Sequence, residues 1–110
     1  MLRVAIRKVR PDQVGALREW MQQANGPRRE EALATLIDEG CRHEQAYLID
    51  GADGPVIVYV MEVADVEESE RAAEASAHPI DTDHKRVMAL ALGDRVPAEL
   101  LLDLTAVWPP

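Results

Sequence analysis

The chain has no phenylalanine, and only two tryptophans and two tyrosines among its 110 residues. Its core must therefore be assembled from Leu, Val, Ile, Ala and Met. Cysteine is nearly missing as well. A single Cys41 excludes an internal disulfide and suits a reducing compartment, so a cytoplasmic location is expected. Basic residues are the minority: 12 Lys and Arg stand against 20 Asp and Glu, for a net charge of −8. Such a chain lacks the basic face that a nucleic-acid partner needs, and an anionic membrane surface is disfavoured on the same ground. Long apolar runs are missing too. The stretch Val56–Met61 has the length of a strand and falls far short of a membrane span. The N-terminus enters a strand-like pattern at Leu2 with no signal-peptide apolar core, and no leader is expected.

Several catalytic signatures are also lacking. There is no glycine-rich phosphate loop, no zinc-spaced cysteine set and no Gly-x-Ser-x-Gly elbow. Neither a cofactor nor a metal is expected.

What remains is an ordered run of short elements. Leu2–Lys8 alternates, with Leu2, Val4 and Ile6 on one side and Arg3, Ala5 and Arg7 on the other, which predicts a strand. Pro11-Asp12 ends it. Leu17, Trp20, Met21 and Ala24 then recur at helical spacing, and Asn25-Gly26-Pro27 interrupts that helix. A second helix follows with Glu30 and Glu31 in its first turn and Leu33, Leu36 and Ile37 as its apolar face; Gly40 has the character of its C′ residue. Cys41–Ile49 alternates as a second strand. Asp50-Gly51-Ala52-Asp53-Gly54 is a turn, and Val56–Met61, apolar on both faces, is a central strand. Ala64–Ala75 is a charged helix. A further helix opens at Pro79 or Asp81 and closes at Gly93. Glu99–Leu104 alternates and is expected as the fourth strand, which leaves residues 105–110 as a tail after a domain of residues 1–104.

The resulting order is that of an α+β, ferredoxin-like βαββαβ sandwich, with helices on one face of an antiparallel sheet. With Leu2, Val4 and Ile6 turned to the helices, the other face is expected to carry Tyr59, Leu101, Arg3 and Arg7, with Glu99 and Asp103. A half-apolar open face invites a second copy, so a homodimer packing face to face is expected. On the second strand, alternation does not choose between Arg42 with Glu44 and His43 with Tyr47 as the residues on that face.

Titratable chemistry clusters in one stretch, Ala75-Ser76-Ala77-His78-Pro79-Ile80-Asp81-Thr82-Asp83-His84. Two readings stand for it. Asp81, Ser76 and Thr82 suit a helix start that needs hydrogen-bond acceptors. Alternatively, Asp81 and His84, three apart on a helix, form an acid/base pair in which the carboxylate raises the imidazole pKa. The spacing of His78 and His84 fits no familiar metal motif. Tyr59 on the central strand and Glu44 on its neighbour read either as packed, paired groups or as a ligand-orienting hydroxyl and a general base.

Across most of its length the chain resembles the dimeric α/β-barrel superfamily, and within it a small uncharacterised bacterial family. The residues that carry this are Arg29–Leu36 through Gly40, Glu44–Leu48, Tyr59–Met61 and, most specifically, His78–His84. A fainter likeness is to L-rhamnose mutarotases. Their catalytic histidine lies in the first helical segment, where this chain has none, so that activity does not carry over. Antibiotic-biosynthesis monooxygenases share the fold without a matching motif. The resemblance implies a homodimer, and the superfamily holds cofactorless enzymes as well as binding modules. Two functions are therefore expected. The first is a homodimer that binds a small polar organic metabolite, in the manner of a cofactorless isomerase, with His84 and Asp81 as catalytic pair and Arg7, Glu44, Tyr59 and His78 toward the ligand. The alternative is a non-catalytic structural or interaction dimer.

Overall fold

The computed structural model describes residues 1–107; Trp108 and the double proline of the tail lie outside the described residues. The strands are β1 (Leu2–Val9), β2 (Cys41–Gly51), β3 (Gly54–Val63) and β4 (Leu92–Arg95). The helices are α1 (Val14–Asn25), α2 (Arg29–Asp38), α3 (Val66–Ala75) and α4 (Pro79–Ala91), and a 3-10 turn, Pro11–Gln13, precedes α1. The sheet order is β2-β3-β1-β4, and every neighbouring pair runs antiparallel. This is an α+β fold compatible with a ferredoxin-like sandwich. Among the described residues no helix is long and apolar enough to cross a membrane.

Local chemistry sets the boundaries. Pro27 falls in the turn between α1 and α2, where its missing N–H costs no helical hydrogen bond. Gly40 ends α2 at φ +62°, a left-handed value that glycine reaches without a Cβ clash, as expected for a C′ residue. Gly54, at φ +102°, closes the β2–β3 hairpin opposite Gly51. The side chain of Asp65 caps α3 by accepting the Glu68 amide at 3.0 Å. Pro79 opens α4 at the first helical position.

The fourth strand is not where alternation predicts it. Residues Glu99–Leu104 form neither helix nor strand, and β4 follows α4 directly at Leu92. The strand signal in Leu92-Gly93-Asp94-Arg95 is weak because tertiary pairing creates this strand. Leu92 pairs with Val9, Arg95 with Arg7, and Val96 donates its amide to the Ile6 carbonyl at 2.9 Å. The Arg10 guanidinium binds the carbonyls of Ala89 and Leu90 at 3.1 and 2.7 Å, satisfying the end of α4.

The sheet faces are also reversed relative to the alternation argument. The buried core joins Val9, Leu17, Ile57, Ala91 and Leu92, with Leu48, Tyr59 and Met88 packed against it. Arg7 pairs with Ile57, Ala5 with Tyr59 and Arg3 with Met61, so this row of β1 looks at the helices. Leu2, Val4 and Ile6 look the other way, where Val4 is 52% exposed. In β2, Glu44, Ala46 and Leu48 share the helix side, whereas Gln45, Tyr47 and Ile49 share the open side with Val56, Val58 and Val60. The apolar row of β1 thus lies on the uncovered face and its arginines on the covered one. A strand obeys its neighbours' register before its own hydrophobic pattern. The face of α2 behaves similarly: Ile37 is 78% exposed, and Thr35 is the buried residue of that helix.

Candidate functional site

Between the helix side of the sheet and the helices lies a groove of about 1810 Å³, open to solvent. Its sheet wall carries Arg3, Arg7, Glu44, Tyr59 and Met61. Its helix wall carries Trp20, Glu39, Asp81, His84 and Met88. The strand rows described above aim the first set, and successive turns of α4 aim Asp81, His84 and Met88.

The geometry around His84 is specific. The indole N–H of Trp20 donates to His84 Nδ1 at 2.9 Å, with the rings tilted by 42°. An indole N–H can only donate, so Nδ1 is the bare nitrogen and the neutral ring carries its proton on Nε2. Burial lowers the His84 pKa; the charge of Asp81 opposes this and Lys85 adds to it. The expected rise from an Asp81–His84 pair therefore does not occur, because desolvation outweighs the carboxylate. Asp81 accepts instead from the Ser76 hydroxyl, whose oxygen also takes the His78 amide at 3.2 Å. Behind Trp20 the Arg28 guanidinium lies 5.6 Å from the ring centroid. It is fixed there by Asp83 at 2.6 Å and Glu31 at 2.9 Å.

The carboxyl groups are held high. Glu44 is solvent-accessible yet enclosed by groove walls, and this desolvation, with the charge of Asp81, raises its pKa. Glu39, the C-cap of α2, rises to about 7; burial is the main cause, and Asp81, Glu44 and Asp38 add repulsion that Arg3 partly offsets. Tyr59 is pushed upward by burial and by Glu44, so its hydroxyl stays protonated, and it donates to Met88 Sδ at 3.2 Å. Arg7 spends two donors on the Gly93 carbonyl, at 3.0 and 2.6 Å, and Arg3 pairs with Glu70 at 3.0 Å.

Of the residues singled out in the sequence, the groove brings together Arg7, Glu44, Tyr59, Asp81 and His84. His78 stands apart, with Nε2 on Asp38 at 2.6 Å, and this pairing raises its pKa. Among the described residues, no group of three or more His, Cys, Asp or Glu side chains is placed to hold a metal ion. Sequence reasoning missed Glu39 and the Trp20–His84 bond. A signal for the first existed: a glutamate just before a C′ glycine sits at the negative end of a helix, which disfavours its ionised form.

This fold and groove extend over nearly the whole chain, and so does its match to known sequences, which covers residues 2–108. The chain belongs to DUF6176, a family of unknown function. No curated protein matches the DUF6176 chain. Among solved structures it is similar to Rv0793 from Mycobacterium tuberculosis, with a TM-score of 0.54, 19% identity and 96% of each chain covered. At that identity the likeness concerns the fold. The chemistry of this DUF6176 member is therefore argued from the groove itself.

Proposed function

We infer that this protein binds a small polar organic molecule in the groove and acts on it by cofactorless proton transfer, as an isomerase-type enzyme does. One observation supports this above all. The covered side of the sheet is lined with ionisable groups, while the apolar row of β1 is left outside. Packing alone favours the opposite arrangement. The Glu39 carboxyl, raised to about 7, suits exchange of a proton near neutral pH, with Glu44 also raised above the ordinary carboxylate range, and the His84 Nε2–H is a neutral donor for a developing oxyanion. Tyr59 orients the ligand from the sheet. Asp81 acts through its charge, and Arg7, fixed to Gly93, shapes the wall.

The uncovered face of Val4, Ile6, Tyr47, Ile49, Val58 and Val60 supports a homodimer, with the sheets of two copies packed together as in a dimeric α/β-barrel. A second reading, a structural dimer without catalysis, draws support from Arg3 and Arg7, which already have partners on the protein.

Crystals soaked in a mixture of monosaccharides and small hydroxy acids test the choice. Density in contact with Glu44, Tyr59 and His84 is expected. A groove holding only water at saturating concentrations overturns the binding reading and leaves the structural dimer.

A further inference from the structure

Beyond Val96, residues 97–107 form an arm that belongs to neither helix nor strand and is exposed throughout. Leu100, Leu101, Leu102 and Leu104 are 72–84% exposed. The radius of gyration is 14.9 Å, against about 13 Å for a compact chain of this length. In an extended conformation the arm sets Leu100, Leu102 and Leu104 on one side and Glu99, Leu101, Asp103 and Thr105 on the other. What it lacks is a neighbour. In this structure β4 ends at Arg95, and beyond the Val96–Ile6 hydrogen bond the arm forms no ladder with the Leu2–Ala5 part of β1.

The sheet offers one long free edge among the described residues. Strand β2 spans Cys41–Gly51, pairs only with β3, and turns every second N–H and C=O outward. In its own chain this edge lies at the far side of the sheet from β4, three strand spacings or about 14 Å away. The described arm does not return to it.

We propose that the arm is exchanged between two copies: residues 98–105 of one protomer add as a strand to the free β2 edge of its partner. This inference rests on the homodimer reading and gives it a second contact beyond the sheet faces. The eight residues fit within the 11-residue edge. With Leu100, Leu102 and Leu104 turned to the open face, they extend the apolar surface of Tyr47 and Ile49. Glu99, Leu101 and Asp103 then fall on the helix side of the sheet. The exchange removes two liabilities at once, an unpaired long edge strand and a row of solvent-exposed leucines. Each protomer gives an arm and receives one, so the arrangement closes at two copies.

The test uses the full chain and the double variant Leu100→Glu/Leu102→Glu. Both positions are exposed in the single chain, so the variant keeps the protomer fold. Light scattering over a dilution series gives the dimer dissociation constant. Isotope-filtered NMR on mixed labelled and unlabelled protein locates the arm, and amide exchange reads its pairing. The exchange predicts a dimeric full chain, with contacts from Leu100–Leu104 methyls of one copy to β2 amides of the other and slow amide exchange in both segments. In the variant, the dissociation constant rises at least tenfold and the β2 edge exchanges fast. A dimeric full chain whose dissociation constant is unchanged in the variant, with fast-exchanging arm amides, overturns the arm exchange and leaves the face-to-face dimer. Arm contacts found only within one copy overturn it as well. A full chain that stays monomeric at millimolar concentration overturns the dimer reading itself.

Discussion

Trp20 donates its indole N–H to His84 Nδ1 at 2.9 Å, across the contact between α1 and α4. This single bond decides which nitrogen of the groove histidine carries the proton. It also ties the large aromatic of α1 to the histidine of α4 that lines the groove.

Trp20→Phe removes the donor but keeps most of the buried ring. The loss of this hydrogen bond, with Nδ1 left partly buried and unpaired, is expected to cost about 2 kcal/mol in urea unfolding. The sharper readout is the imidazole tautomer. In the native protein, 15N NMR at pH 7.5 should show His84 neutral with the proton on Nε2, and the variant should show a mixture. A single Nδ1–H form in the native protein contradicts the assignment.

Glu39 predicts an unusual pH dependence. Its folded pKa of about 7 lies above the ordinary glutamate value near 4.3, so the folded state holds the proton more tightly. Its contribution is therefore fully present below about pH 4, declines as pH rises from about 4 to 7, and is flat above that. Glu39→Gln should be more stable than the native chain by about 1 kcal/mol at pH 8, after allowance for solvent screening, and equal to it at pH 4. Equal stabilities at both pH values refute a raised Glu39.

The His78–Asp38 pair carries a signature of the same sign, set at higher pH. Asp38 raises the His78 pKa, so the pair stabilises the fold fully below about pH 6.5 and loses its effect as pH climbs through the raised value. Asp38→Asn should lower the melting temperature at pH 6 and leave it unchanged at pH 9. Because His78 stands outside the groove, ligand binding should be unaffected at either pH.

The uncovered sheet face predicts its own loss of assembly. Val58→Asp places a charge in the middle of the Val4, Val60 and Tyr47 surface. Light scattering should show a monomer with native far-ultraviolet circular dichroism, because Val58 belongs to the open side of the sheet. A variant that remains dimeric locates the contact elsewhere.

The order of the first seven elements was legible because their signals are local. Pro27, Gly40 and the Asp50–Gly54 turn each mark a break by their own backbone chemistry, and the helical spacing of Leu17, Trp20 and Met21 survives into the core. The fourth strand was not legible. Leu92–Arg95 has little strand character and is made by its pairing with β1, while the stronger alternation of Glu99–Leu104 belongs to an arm with no neighbour in its own chain. The choice of sheet face failed for a related reason. Apolar residues on β1 signal burial, but they do not say whether a helix or a second molecule does the burying. The groove residues Glu44, Tyr59 and His84 were found because each stands out by type. The partner of His84 was not, since a bond between residues 20 and 84 leaves no trace in spacing.

The central claim is that the groove is a ligand site built on Glu44, Tyr59 and His84. The most direct measurement is the His84 side-chain 15N and ring-proton spectrum, recorded while aldoses, ketoses and small hydroxy acids are added one at a time. A groove ligand should shift the His84 Nε2–H resonance saturably, and Tyr59→Phe should weaken that binding about tenfold, the loss of roughly one hydrogen bond to ligand. If every compound up to 50-fold excess, or about that, leaves His84 and its neighbours unmoved in a folded protein, the groove is not a site for such molecules and the account fails.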